Sequence, residues 1–443
     1  MAMAKKKTDA IYQLNAKMNL FKAVPFGLQH ILAMFVANIT PIIIVAGTCG
    51  LTSKDTAMVI QSAMMIAGIG TFIQLFPVWR IGSGLPIVMG ISFTFVSLAC
   101  AIGVKYGYAS ILGAVFIGGL IEGFLGLFAK YWIKIVTPIV AASVVTAIGF
   151  SLLPVGAASF GGGQGAADFG SGKNWILGCV TLAVCVIFKL FAKGYLKQLS
   201  VLAGLIVGYI LALFLGKVDF SAFHEIDIIS LPRFMHFGIE FKPDAIIAFV
   251  LIYLVSATET IGDTSAVAAS GLDRDVTAKE TAGSVACDGF VSALSSMFCC
   301  MPITSFSQNV GLVAMTKVVN RFAISTGAVI MVLAGLFPAF GAVLATLPSA
   351  VLGGCTIMMF ATIVISGIEM IGKCGLTKRN LTVAAFSLSI GIGFTSYPQM
   401  FDIFPEIIKT VFAENCVAVV FIVAIALDRL LPKNYGNEEL TEE

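Results

Sequence analysis

The chain alternates long apolar stretches with short polar breaks, and the apolar stretches are too long and too frequent for a soluble core. Windows of about 20 apolar residues suit helices that cross a bilayer. They predict spans near 25–49, 56–78, 83–103, 109–129, 133–155, 174–192 and 198–216, then near 244–262, 281–300, 302–316, 323–343, 348–371, 380–397 and 412–430. That is fourteen spans, an even number, so both termini fall on one side. The stretch 302–317, Pro-Ile-Thr-Ser-Phe-Ser-Gln-Asn-Val-Gly-Leu-Val-Ala-Met-Thr-Lys, breaks the pattern with a polar run. Polar backbone at bilayer depth is tolerated only where protein or a cavity satisfies it, so this stretch marks a buried binding site.

Two segments of the first half match two of the second. Residues 84–93 align with 300–309, placing Pro86 on Pro302 and Ser92 on Gln308, an offset of 302 − 86 = 216. Residues 137–141 align with 347–351, placing Pro138 on Pro348, an offset of 348 − 138 = 210. Against a chance match of proline-containing apolar decapeptides, two pairs at nearly one offset predict seven spans duplicated. An odd repeat must enter the membrane in the opposite sense the second time, which makes the repeats inverted. Proline fixes φ and removes a backbone donor, so residues 84–93 and 300–309 read as an extended entry followed by a half-helix. Two such half-helices would aim their N-terminal N–H groups at one ligand.

Composition agrees: 58% of residues are hydrophobic, 12% are charged and the mean hydropathy is +0.99, whereas about a quarter of a soluble domain is charged. The start, Met-Ala-Met-Ala-Lys-Lys-Lys, leads into no apolar h-region with a cleavage site, so no signal peptide is expected to be removed. Of the 27 Lys and Arg, 20 fall on the side of the termini and seven (Lys54, Lys105, Lys173, Lys217, Arg233, Lys242 and Lys409) on the other. By the positive-inside rule both termini are cytoplasmic in a multi-pass cell-membrane protein. The net charge of +3 then reflects topology and not nucleic-acid binding. The ten Cys show no metal-ligand spacing and read as reduced packing residues, with Cys299 and Cys300 on a helix and pointing apart. No metal or other cofactor is expected.

Acidic side chains at bilayer depth are costly and are functional candidates by default. Glu259 and Asp263 lie i, i+4 near the end of the eighth span, where the plain alternative is a helix end already in cytoplasmic water. Asp288 in the ninth span could accept from backbone N–H groups of the broken segments or couple protons. Glu122 in the fourth reads as structural or as an interhelix contact. His30 is the one His at depth, and a lone His there is more often packing than ligand; His224 and His236 belong to the long external loop. Gly-Gly-Gly-Gln-Gly at 161–165 lacks the Lys-Ser/Thr of a phosphate loop and reads as a flexible external turn. Glu259 offers an acceptor and Gln308 an acceptor with two donors in a plane. Together they complement the alternating N–H and C=O of a lactam, with Phe93, beside Ser92, as a stacking face. No zinc triad or Ser/His/Asp arrangement points to an enzyme.

With these residues assembled, the chain resembles the nucleobase-ascorbate transporter family (nucleobase:cation symporter-2) over about residues 23–432. The family signature is present as Gln308, Asn309, Gly311, Thr316 and Lys317, and Thr-Glu-Thr-Ile-Gly-Asp and Cys-Asp-Gly-Phe-Val-Ser-Ala resemble its eighth and ninth spans. The resemblance implies an all-α polytopic fold of 14 segments in 7+7 inverted repeats, with short antiparallel strands in broken segments 3 and 10. It also implies a cytoplasmic segment 1–22, core parts 23–130 and 243–343, gate parts 131–217 and 344–431, and a cytoplasmic tail 432–443. Members are homodimers that shift core against gate like an elevator, coupled in bacteria to H+. Carried over, Glu259 and Gln308 bind the base, Phe93 and Ser307 contribute backbone groups, and Asp263, Asp288, Asn309 and His30 support the site or couple protons. Gln at 308 goes with purines and Glu with uracil, so the implied substrate is xanthine or uric acid; Ser92 resembles members that admit the C8 oxygen of uric acid. The alternatives are a permease for uracil or another nucleobase in the same family, or an anion exchanger or channel of the related sulfate-transporter-like superfamily.

Overall fold

The computed structural model describes residues 10–129, 136–218, 229–432 and Tyr435. Lys5, Lys6, Lys7, Lys130, Lys134, His224, Lys433 and nearly all of the tail 432–443 lie outside the described residues. The fold is mostly helical, and capping marks its boundaries. Helix α1 (Leu20–Thr48) starts where Asn19 Oδ1 accepts from Phe21 N–H at 2.9 Å. Helix α2 (Ser53–Leu75) follows, then strand β1 (Met89–Ile91) and the short helix α3 (Val96–Tyr106). Helices α4 (Tyr108–Leu127), α5 (Pro138–Phe160), α6 (Gly172–Phe191) and α7 (Ser200–Phe214) complete the first half.

The second half opens with α8 (Pro243–Leu272) and α9 (Ala278–Met297), the latter begun by a Thr277/Glu280 capping box. Strand β2 (Ile303–Ser305) leads into α10 (Ser307–Thr316), followed by α11 (Arg321–Ala334) and α12 (Pro338–Ala345). Helices α13 (Ser349–Lys373), α14 (Lys378–Ser396), α15 (Glu406–Phe412) and α16 (Cys416–Leu430) close it. Among the described residues eight helices are long and apolar enough to cross a membrane, or up to ten if each of the two bent pairs is one span. Those pairs, α11 with α12 and α15 with α16, bend by 82° and 83°. Helix α9 falls below the apolar threshold because it carries Lys279, Glu280, Asp288 and a run of serines.

Three features differ from the sequence reading. Helix α8 continues through Gly262 to Leu272, so Glu259 and Asp263 sit mid-helix and not near a helix end. Small and hydroxylated residues after position 262 lower the hydropathy without stopping the helix. Cys299 is not helical: α9 ends at Met297, and Cys299 takes φ +62° in the turn that feeds β2. The expected single span 323–343 is broken before Pro338, where the missing N–H ends the helix and starts another.

The strands pair antiparallel as Met89↔Ser305, Gly90↔Thr304 and Ile91↔Ile303. Met89 thus faces the residue that the repeat alignment assigns to it, since 89 + 216 = 305. A two-stranded ribbon leaves outward backbone groups that a bilayer interior cannot satisfy, and buried side chains meet them here. Thr71 Oγ1 accepts from Met89 N–H at 3.0 Å, Asn38 Oδ1 from Ile91 N–H at 2.7 Å and Asp288 Oδ2 from Ser305 N–H at 2.8 Å. Gly90 is required by close approach, since a Cβ there would lie 2.7 Å from Met34 Cε and from Phe306 Cδ2. Alongside, α4 meets α9 backbone to backbone: a Cβ on Gly289 would lie 2.1 Å from Gly123 N, and one on Gly126 2.2 Å from Ala286 N. Small residues at such seams let membrane helices approach closely.

Candidate functional site

The site lies where α8 passes the ends of the two strands. Ser305 ends β2, and Phe306, in extended conformation, turns the chain into α10 so that Ser307, Gln308 and Asn309 occupy its first turn. On the other strand, Ser92 N–H donates to Pro302 O at 3.0 Å, and Phe93 and Thr94 follow in a single 3-10 turn. Thr94 Oγ1 donates to Glu259 Oε2 at 2.8 Å, which ties the first broken segment to α8. Ser307 Oγ lies 3.3 Å from Glu259 Oε1 and 2.9 Å from Asp263 Oδ2. One hydroxyl proton cannot serve both acceptors at once, so Ser307 couples the two acids.

Behind them, Asp288 accepts from three donors: Gln74 Nε2 at 3.1 Å, Thr260 Oγ1 at 2.5 Å and Ser305 N–H at 2.8 Å. Ser305 Oγ donates to Asp263 Oδ2 at 3.0 Å and lies 3.3 Å from Thr260 Oγ1. Glu259, Asp263 and Asp288 are therefore joined by hydroxyls into one network, with Glu259 half-buried at its open end and the two aspartates buried.

Gln308 is half-buried, and its Oε1 has no hydrogen-bond partner among the described residues. It walls a cavity of about 60 Å³ with Val36 and Ala37 of α1, Val201 of α7 and Met359 and Thr362 of α13. Phe93 is buried and meets Phe360 of α13 edge to face, with ring centroids 5.6 Å apart. Asn309 turns away from that cavity: its Nδ2 is 3.2 Å from His30 O and 3.3 Å from His30 Nδ1, and both residues are buried. Ser92 is buried beside Phe93. His236 lies apart, its Nε2 3.4 Å from Asp55 Oδ1. Larger cavities flank the site, one of about 670 Å³ bordered by Thr258 and Gly262 of α8, the other of about 680 Å³ bordered by Gly162 and Gly163. The first touches the start of α5 at Pro138 and the second its far part at Pro154, so they open toward opposite ends of that helix.

Thus Glu259, Ser307, Asp263 and Asp288 come together in one bonded network, Gln308 and Asn309 share the first turn of α10 with Ser307, and His30 is held behind Asn309. Sequence reasoning missed Thr94, Gln74, Thr260 and Ser305. Their signal was present as polar side chains at bilayer depth, but hydroxyls occur throughout membrane helices, where most donate to the preceding turn. Among the described residues no group of three or more His, Cys, Asp or Glu could hold a metal ion.

A model of the "Permease family" (Xan_ur_permease) matches residues 21–400. The xanthine permease XanQ of Escherichia coli (strain K12) is 34% identical, covering 98% of this chain and 96% of its own length. The uric acid permease PucK of Bacillus subtilis is also 34% identical, over 87% and 90% of the two chains. The nucleobase transporter PlUacP of Paenibacillus larvae is 36% identical over 90% and 92%. Among solved structures, murine Slc26a9, an anion transporter in its inward-facing state, superposes with TM-score 0.61 at 11% identity, over 97% and 72% of the chains. The transmembrane domain of the cyanobacterial bicarbonate transporter BicA gives 0.57 at 14% identity, over 93% and 98%. At these identities the likeness is one of fold.

Proposed function

Since the chain belongs to the permease family of xanthine and uric acid carriers, the nucleobase-ascorbate transporter family, whose members are transport proteins and not enzymes, we propose that it imports a purine base, xanthine or uric acid, by proton symport. One observation carries the choice of substrate class: Gln308 Oε1 stands without a partner one residue from Ser307, whose hydroxyl holds Glu259. A buried acceptor left unpaired disfavours the empty site by about 1–3 kcal/mol. A base whose lactam N–H reaches Gln308 Oε1 and whose second N–H reaches Glu259 relieves it, while the Gln308 NH2 group donates to a ring carbonyl. Phe93, braced by Phe360, supplies the stacking face, and the first-turn N–H groups of α10 add donors. Ser92, small beside Phe93, leaves room for the C8 oxygen of uric acid.

In this reading the chain has fourteen segments in seven-plus-seven inverted repeats, with both termini in the cytoplasm of the cell membrane. The extra segments are those that miss the apolar threshold: β1 with α3, α9, β2 with α10, and α14. Core parts 23–130 and 243–343 carry the substrate against gate parts 131–217 and 344–431, in a homodimer. The cavities at the two ends of α5 are the entry and exit vestibules of that elevator. Proton coupling falls to Glu259, assisted by Asp263 through the shared hydroxyl of Ser307 or by Asp288 through Thr260 and Ser305, with Asn309 and His30 bracing α10.

The test uses purified protein in vesicles. Labelled xanthine is accumulated under an imposed pH gradient, uric acid and xanthine compete, and uracil does not. Glu259→Gln abolishes accumulation. Intact gradient-driven accumulation by Glu259→Gln overturns the proton assignment, and uracil competing as well as xanthine overturns the substrate.

A further inference from the structure

Of the four acids that the sequence places at bilayer depth, three are met by hydrogen-bond donors: two each at Glu259 and Asp263, three at Asp288. Glu122 on α4 differs. It is 0% exposed, and neither carboxyl oxygen has a partner among the described residues. Its position follows from the glycines that precede it. A Cβ on Gly118 would lie 2.3 Å from the Tyr253 ring of α8, and one on Gly119 2.7 Å from Gly289 O of α9. Glu122 comes four and three residues later on the same helix, so it faces the junction of α4, α8 and α9. Ser256 of α8, one turn beyond Tyr253, is likewise buried, and its hydroxyl bears on the Glu122 carboxyl without reaching hydrogen-bond geometry. Four residues further on, Thr260 donates to Asp288.

We infer that Glu122 is a second proton-carrying residue of the transport cycle, loaded and unloaded in exchange with the Glu259/Asp263/Asp288 network. A fully buried carboxylate with only the Ser256 hydroxyl close to it has little to offset its desolvation, whereas a carboxylic acid is tolerated there. The proton leaves Glu122 only when another group nearby takes it or a donor reaches the carboxylate. The titratable groups that bear on it are Asp288 from α9 and Glu259 and Tyr253 from α8; the Tyr253 hydroxyl is engaged with Val115 O at 3.2 Å. The proton that Glu122 gives up is the one an interior acid gains, so the net charge of the core is conserved in each exchange. Glu122 lies five residues before Leu127, whose carbonyl accepts from Arg80 at 3.1 Å. Five residues span about 7.5 Å at 1.5 Å each, so Glu122 lies nearer to the end of α4 that the charge pattern assigns to the cytoplasm. That is where a symported proton is released.

This inference rests on the symport reading. Three reconstituted proteins test it: wild type, Glu122→Gln and Glu122→Asp. Glu122→Gln keeps xanthine counterflow within about two-fold of wild type, loses about ten-fold in pH-gradient-driven accumulation, and flattens the pH profile of uptake. Glu122→Asp restores accumulation with a displaced pH midpoint, which a purely structural side chain would not produce. If Glu122→Gln accumulates xanthine with the wild-type pH profile, the inference is overturned. If Glu122→Gln does not assemble, the Glu122→Asp midpoint decides, and an unshifted midpoint overturns it. Failure of the wild type itself to accumulate under a pH gradient would defeat the symport reading, a result distinct from a silent Glu122→Gln.

Discussion

Segment 84–106 and segment 300–316 both run through a proline, a three-residue strand and a short helix, and their strands pair across one antiparallel register. Their side chains divide differently. The first contributes Ser92, Phe93 and Thr94, all buried, with Phe93 committed to Phe360 and Thr94 to Glu259. The second contributes Ser307, exposed and shared between two acids, and Gln308, whose amide oxygen is uncommitted. Backbone symmetry builds the pair, and in the proposed reading asymmetric side chains give the site a stacking wall on one side and a hydrogen-bonding wall on the other. A duplicated scaffold need not duplicate chemistry, because pairing is set by main-chain geometry and recognition by a few side chains.

Substitutions can break or sharpen this contrast. The largest effect is expected at Asp288, which anchors the second strand through the Ser305 N–H. Asp288→Ala strands the Thr260 hydroxyl and the Ser305 N–H, each an unsatisfied buried donor at roughly 1–3 kcal/mol, while Gln74 keeps its bonds to Ser284. It should yield little monodisperse protein in detergent, with Asp288→Asn intermediate by thermal unfolding. Next, Gln308→Ala removes the open hydrogen-bonding wall; losing two bonds of about 1.4 kcal/mol each lowers xanthine affinity about 100-fold. Folding is unchanged, as binding and thermal shift on the same sample would show. Thr94→Val acts from the other segment by taking one donor from Glu259, and affinity drops about ten-fold. If Thr94→Val proved as severe as Gln308→Ala, the division between walls would be wrong.

The smallest effect lies outside the membrane, in the loop carrying the glycine run. There the Lys217 ammonium, hydrogen-bonded to Asp168, holds that carboxyl below the usual carboxylate range. A lowered folded-state value means the contribution is present above the unfolded value of about 3.9 and is lost as pH falls through the folded one. Because the pair is solvent-exposed, Asp168→Asn should change thermal stability at neutral pH only slightly. Any difference from wild type should disappear in acid.

Much of this arrangement was legible in the residues. Pro86 and Pro302 gave away the interruptions, because a proline in an apolar run forfeits a donor where no water replaces it. Glu259, Asp263 and Gln308 declared themselves by polarity at depth. Asp288's role as an acceptor for Ser305 N–H could be named as an option, but not chosen without the register of the strands. Thr94, Thr260 and Gln74 stayed hidden because a hydroxyl or amide bonded to its own helix has the same sequence signature as one bonded to a neighbour. The course of α8 past Gly262 was missed because hydropathy measures affinity for lipid, and that stretch alternates buried residues (Asp263, Thr264, Val267 and Ala268) with small or hydroxylated ones that are exposed or half-buried.

The glycine seam between α4 and α9 has a mechanical corollary. With main chain resting on main chain, no deformable layer of side chains lies between the two helices, so they cannot slide past each other without overlap. Whatever moves during a transport stroke, these two helices and the ribbon anchored on Asp288 travel as one stiff block, and the strain of the stroke must be absorbed elsewhere. A single added methyl at Gly289 would act as a wedge driven into the chassis.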